Sequence, residues 1–220
     1  MIQLHYAPST AAMAPHILLE ELGVPFEKIL VDTEKGAHRT EAYKKLNPNG
    51  TVPVLVDGEL VLYESAAICL HLCDMHPAAG LAPAIGTAER AHFYKWLMWL
   101  TNTLQATLMV YFYSERWVKD GDAVRAAEMK SHAEAKVGVL LDQLDAELAR
   151  LEGAGPSPWL VGGKFSAVDA YALMLCRWTR NFASRPARDL SHLGTYLQRV
   201  LARPAVARVF KAEGLAQPWV

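Results

Sequence analysis

Four things are scarce in this sequence, and each scarcity removes a class of protein. Only Cys69, Cys73 and Cys176 are cysteines. An odd, sparse set suits a reducing compartment, so a cytoplasmic chain is expected and a disulfide framework is not. Charge of one sign is not in excess, since 22 basic residues face 23 acidic ones for a net charge of -1. The electrostatic footprint of a nucleic-acid binder is absent, and no such partner is expected. No run of about 18 apolar residues occurs, so no membrane span is expected. The start, MIQLHYAP, lacks a basic segment followed by an apolar one, so no secretory signal is expected. The composition, 52% hydrophobic and 20% charged, is that of a globular chain. Its 220 residues allow one large domain or two small ones.

Periodicity divides the chain. Residues 2–6 alternate as a half-buried strand does, and Met13, Ile17, Leu18 and Leu22 then recur at helical spacing up to Gly23. A second strand is expected over 26–31 and a short helix over 40–46, ending before Asn47-Pro48-Asn49-Gly50. Val52–Val56, Asp57-Gly58 and Leu60–Tyr63 read as a hairpin, and Glu64-Ser65 opens a helix to about Met75. The order β-α-β-α-β-β-α implies a mixed sheet in an α/β domain over residues 1–78. Residues 79–87 are small, Pro/Gly-rich and nearly uncharged, as an interdomain linker is. Residues 88–220 read as all-helical, with runs over 88–118, 121–152, 166–181, 190–202 and 205–213 and a loop over 153–158.

Three segments carry candidate chemistry. In Asn47–Leu55, a cis Pro53 would leave the Val52 N–H and C=O free to pair with an extended, peptide-like ligand. The alternative is a plain edge-strand proline. At Glu64-Ser65, a helix start offers N–H groups, a hydroxyl and the positive dipole end to a carboxylate, while Glu64 suits an amine. The alternative is an ordinary cap. In Tyr6–Ala12, Ser9 or Thr10 is either an N-cap or a donor to an anion such as a thiolate. Cys69 and Cys73, four apart on a helix, have no matching ligand pair, so buried side chains are expected there and no metal. The aromatic run Tyr111-Phe112-Tyr113, with Met109 and Trp117, suits either a hydrophobic pocket or helix packing. His16, His71, His92 and His132 have no evident partner in the sequence.

Together the hydroxyl-bearing turn, LLEELGVPFE, NPNGTVPVL, LYESAAI and the helical second half resemble a cytosolic glutathione transferase over essentially the whole chain. GGKFSAVD resembles the family's capping box, with Ser166 as N-cap and Asp169 at N3, a folding determinant. The resemblance implies a thioredoxin-like domain that binds glutathione as co-substrate, a helical domain that contributes the electrophile site, and a homodimer. It implies Val52 and cis Pro53 against the cysteinyl backbone of glutathione, Glu64 and Ser65 on its γ-glutamyl end, and Lys35 on its glycine carboxylate. PSTAAMAPHILLEELG is similar to the bacterial beta class, whose cysteine falls at Ala11 here. That class's His-Lys pair falls at Gln105-Ala106, its tryptophan at Trp178 and its histidine at Asn181. Thiolate stabilisation then passes to Ser9, Thr10 and the N–H of Ala11. The expected activity is conjugation of glutathione to small hydrophobic electrophiles, a detoxification reaction. A non-catalytic binding protein, or an isomerase or dehalogenase on the same fold, is the alternative.

Overall fold

The computed structural model describes residues 1–153, 155 and 158–220. Part of the loop expected over 153–158 therefore lies outside the described residues. Strand β1 (Ile2–Tyr6) leads into helix α1 (Met13–Leu22). Gly23 ends α1 in the left-handed region at φ 64°, where its N–H returns to the Leu19 carbonyl. Strand β2 (Phe26–Leu30) follows. The helix expected over 40–46 is shorter. A 3₁₀ turn at Ala37–Arg39 precedes α2 (Glu41–Lys44), whose Tyr43 N–H is capped by the Thr40 hydroxyl. Pro48 disfavours helical geometry in the residue before it, which limits continuation.

Strands β3 (Val54–Asp57) and β4 (Leu60–Tyr63) form the expected hairpin, and α3 (Ser65–Met75) follows. β3 starts two residues later than expected. Pro53 has no N–H to give the ladder, and the Thr51 carbonyl is taken by the Tyr43 hydroxyl and the Asn47 amide, both at 2.9 Å.

The sheet order is β2-β1-β3-β4, so β3 is an inner strand. β1 runs parallel to β2, with Tyr6 beside Leu30, and antiparallel to β3, with His5 beside Val54. β3 and β4 are antiparallel, with Val54 beside Tyr63. This register brings the ends of β1, β2 and β4 and the start of β3 to one end of the sheet.

The second half is helical. α4 (Ala88–Trp99), a π-helical turn (Leu100–Gln105) and α5 (Ala106–Phe112) run on as one long helix. The run expected to reach 118 stops at Phe112, and a 3₁₀ turn covers Ser114–Trp117. α6 (Ala123–Glu152) buries Val137, Leu140, Leu141, Leu144 and Leu148 along one stripe. α7 (Ala167–Trp178), α8 (Ser191–Leu201) and α9 (Pro204–Ala212) complete it. All of α7 is buried, its Asp169 and Arg177 included. Its capping box forms and extends further. Asp169 accepts from the Ser166 N–H (2.8 Å) and hydroxyl (3.1 Å), the Leu160 N–H (3.1 Å) and the Tyr196 hydroxyl (2.7 Å). One continuous apolar core runs from β1, α1 and α3 into α7, α8 and α9. Among the described residues no helix is long and apolar enough to cross a membrane.

Candidate active site

Ser9 lies in the turn between β1 and α1 with φ 60°, a left-handed conformation uncommon for a residue with a side chain. Such backbone costs about 1–3 kcal/mol and persists only where its surroundings hold it. Here all three holding contacts come from the helical half. The Ser9 N–H donates to Glu213 Oε2 (2.9 Å), its carbonyl accepts from Trp178 Nε1 (3.2 Å), and its Oγ accepts from Arg177 Nε (3.3 Å).

Thr10 behaves differently. Its hydroxyl donates to the Ala7 carbonyl (2.6 Å) and accepts from the Ala12 N–H (3.3 Å). Thr10 therefore closes the turn before α1, while Ala12 occupies the N-cap position without a side-chain bond. The Ala11 carbonyl accepts from the Ser65 hydroxyl (2.8 Å), which ties the start of α3 to this turn. Among the described residues the Ala11 N–H has no protein acceptor.

Neither alternative raised for the other two segments describes what is found there. The Val52–Pro53 peptide is cis, and β3 is not an edge. Among the described residues neither the N–H nor the carbonyl of Val52 has a protein partner. Glu64 is exposed at φ 72° and makes no side-chain cap. The N–H groups of Ser65, Ala66 and Ala67 likewise have no protein acceptor among the described residues, as the first turn of a helix leaves them. Free N–H groups beside an exposed carboxylate form a receptor for a group bearing both a carboxylate and an ammonium.

Residues 8–75 match the family described as Glutathione S-transferase, N-terminal domain, and residues 100–204 match its C-terminal domain. A glutathione S-transferase of Xanthomonas campestris pv. campestris, GST-4.5, is 30% identical over 97% of this chain and 100% of its own. A sphingomonad glutathione S-transferase, solved with glutathione, is 33% identical over 97% of this chain and 100% of its own, with a TM-score of 0.80. A beta-class glutathione S-transferase of Sphingomonas chungbukensis is 31% identical over the same shares, also at 0.80. The chain belongs to the glutathione S-transferase family.

The resemblance puts the beta-class cysteine position of this glutathione S-transferase at Ala11, and its three cysteines are elsewhere and buried. Burial pushes the Cys73 and Cys176 thiols up to about 12 and Cys69 well above the ordinary range, so none is a thiolate at neutral pH. Gln105, where the resemblance puts one member of the beta-class His-Lys pair, ends the π-helical turn and accepts from the Tyr171 hydroxyl (2.5 Å). Asn181 is exposed. Among the described residues there is no cluster of three or more His, Cys, Asp or Glu side chains that would hold a metal.

The aromatic residues form a chain of contacts leading away from Ser9. The Trp178 ring meets Phe112 at 6.2 Å, Phe112 meets Tyr111 at 5.1 Å, and Tyr111 meets Phe182 at 4.4 Å. Phe112 and Tyr113 are exposed, Met109 is half-buried, and Arg116 sits over the Tyr113 ring. Lys35 lies in the turn after β2, at the same end of the sheet, and pairs with Asp32 at 3.0 Å. Two other concavities lie elsewhere. One of about 450 Å³ is lined by Ile2, Val24, Leu55 and His71, and one of about 970 Å³ by Asp74, Ile85, Arg90 and Lys164.

Sequence reasoning missed the charged network behind Ser9. His16 has a partner after all: its Nδ1 lies 2.7 Å from Glu213 Oε1, and both side chains are fully buried. A carboxylate only accepts, so Nδ1 carries the shared proton. Burial beside Glu213 raises the Tyr6 phenol. Burial first, then Arg180, depresses Arg177 to about 10 against the opposing pull of Glu213. The available sign was His16 on an otherwise apolar helix face; its partner, nearly 200 residues on (|i−j| = 197), had none.

Proposed function

We propose that this glutathione S-transferase adds the glutathione thiolate to small hydrophobic electrophiles, with Ser9 as the hydroxyl donor to the sulfur. One observation carries the reading: the hydroxyl of Ser9 has a hydrogen to give, and that of Thr10 does not. Ser9 Oγ accepts from Arg177, and no acceptor among the described residues takes its proton, whereas Thr10 gives its proton to Ala7. The Ala11 N–H is a second donor. On this reading Val52, after Pro53, pairs with the cysteinyl backbone of glutathione. The N–H groups at the start of α3 take the γ-glutamyl carboxylate, and Glu64 takes its amine. The Ser65 hydroxyl, already given to Ala11, holds the turn in place. Lys35 takes the glycine carboxylate. Its pair with Asp32 is exposed and screened by solvent, so a ligand carboxylate competes. Met109, Phe112, Tyr113 and Trp178 supply the apolar side for the electrophile. Residues 1–78 form the glutathione-binding unit, 79–87 the linker and 88–220 the electrophile-binding unit of a cytoplasmic homodimer.

The test compares Ser9→Ala with Thr10→Val in the pH dependence of kcat/KM. A thiol with a free pKa of about 8.5 needs only about 1.4 kcal/mol of stabilisation per unit of lowering, within the range of one hydrogen bond to a charged group. Ser9→Ala is expected to move the thiol pKa up by about one unit, with Thr10→Val leaving it in place. A profile shifted by Thr10→Val and untouched by Ser9→Ala overturns the assignment.

A further inference from the structure

The Arg177 guanidinium is buried, and among the described residues it forms no ion pair within salt-bridge distance. Buried charges are ordinarily paired, so a lone one asks for a reason. Its contacts are Ser9 Oγ (3.3 Å) and the carbonyls of Pro218 (3.3 Å) and Trp219 (2.6 Å), with the Phe210 ring 5.2 Å from its central carbon. The two carbonyls and the ring fix the guanidinium plane and leave Nε–H aimed at the hydroxyl. The charged groups that act on it are Arg180 after α7 and Glu213 after α9, and Glu213 in turn acts on Tyr6 on β1 and contacts His16 on α1.

Arginine has donors and no acceptor. In its contact with Ser9 the hydroxyl oxygen must therefore accept, and the hydroxyl hydrogen must point elsewhere. A donor whose oxygen is itself bonded to a cation is a stronger donor. Burial keeps that cation unscreened by salt. We propose that Arg177 is a positioning residue for thiol activation, which turns the Ser9 hydroxyl outward and backs it with positive charge, so that the glutathione thiolate is stabilised through Ser9. This rests on the Ser9 reading above and adds a residue that never touches the sulfur.

Glutathione is the probe, titrated onto the full chain, with its thiolate followed by ultraviolet absorbance from about pH 5 to 10. Arg177→Met is expected to raise the bound thiol pKa by about one unit, a tenfold loss of thiolate at neutral pH. Arg177→Lys keeps the charge but not the planar fork, and is expected to raise it by less. Adding Arg177→Met to Ser9→Ala is expected to produce no further rise. A pKa unchanged in Arg177→Met, with kcat/KM lowered equally at every pH, means a structural role only and overturns the proposal. So does a rise of equal size with and without the Ser9 hydroxyl, which would mean a direct action on sulfur. Should Arg177→Met fail to fold, an unchanged pKa in Arg177→Lys is decisive against the proposal. No thiolate signal in the unmodified chain would overturn the function reading itself.

Discussion

Removing the Glu213 carboxylate tests whether the helical half holds the Ser9 turn in place. Glu213→Ala leaves two donors without an acceptor, the half-buried Ser9 N–H at 2.9 Å and the buried His16 Nδ1–H at 2.7 Å. Each orphaned donor costs about 1–3 kcal/mol, and breaking a buried charged contact by removing one partner costs about 3–5 kcal/mol. A loss of about 3–5 kcal/mol in unfolding free energy is therefore expected. Ser9 would also relax from φ 60°, since its left-handed backbone persists only while its neighbours fix it. The assay is urea unfolding followed by tryptophan fluorescence, with stability taken from the midpoint at constant m. Glu59→Ala, on an exposed turn, serves as control and is expected within about 0.5 kcal/mol of the unmodified chain. If Glu213→Ala falls inside that same margin, the carboxylate does not hold the turn, and the account of Ser9's conformation is wrong.

Two further changes probe the fold around the site. Asp169→Asn keeps one acceptor but sets an amide against the Ser166 N–H and hydroxyl, at an expected cost of about 2–4 kcal/mol in urea unfolding. Burial raises the Asp169 carboxyl above its usual value, against hydrogen bonds from Tyr196, Leu160 and Ser166. A raised folded pKa contributes stability that is full below the unfolded value of about 3.9 and is lost as pH rises through the folded value. The cost of Asp169→Asn is therefore expected to be larger near the acid end than at neutral pH, and a larger cost at neutral pH counts against this. In Gly194→Ala the new Cβ would collide with the Arg188 carbonyl oxygen. A loss of about 1–3 kcal/mol is expected by thermal unfolding, and an unchanged Tm would mean the α8 contact yields freely.

Much of the fold is legible because local chemistry decides it. Alternation in Ile2–Tyr6, the five-residue stripe of α6, Gly23 and the Ser166–Asp169 box each specify their element from within a few residues. The boundaries that moved are those where a distant or neighbouring group intervenes. Tyr43 and Asn47 claim the Thr51 carbonyl and delay β3, and Pro48 shortens α2. The site divides in the same way. Val52-Pro53 and Glu64-Ser65 are readable as short motifs, since the chemistry each offers belongs to its own backbone. The distinction between Ser9 and Thr10 is not, because it depends on where each hydroxyl hydrogen goes, and that is set by Ala7 in one case and by Arg177 in the other. Glu213, His16 and Arg177 meet only through tertiary packing of α1, α7 and the segment after α9.

The π-helical turn at Leu100–Gln105 bears on how such a chain diversifies. Ala106 N–H reaches back five residues to the Thr101 carbonyl, so the turn holds one residue more than an α-helix would. An inserted residue has in effect been stored inside a rod and not in a loop. The rod stays straight enough to keep α4 and α5 in line, yet everything after the turn is swung round its axis by about 100° relative to an unbroken helix. Met109, Phe112 and Tyr113 all lie after it. A single-residue change of length between Leu100 and Gln105 thus re-aims the face proposed for the electrophile while the sheet end, where the peptide is proposed to lie, keeps its shape.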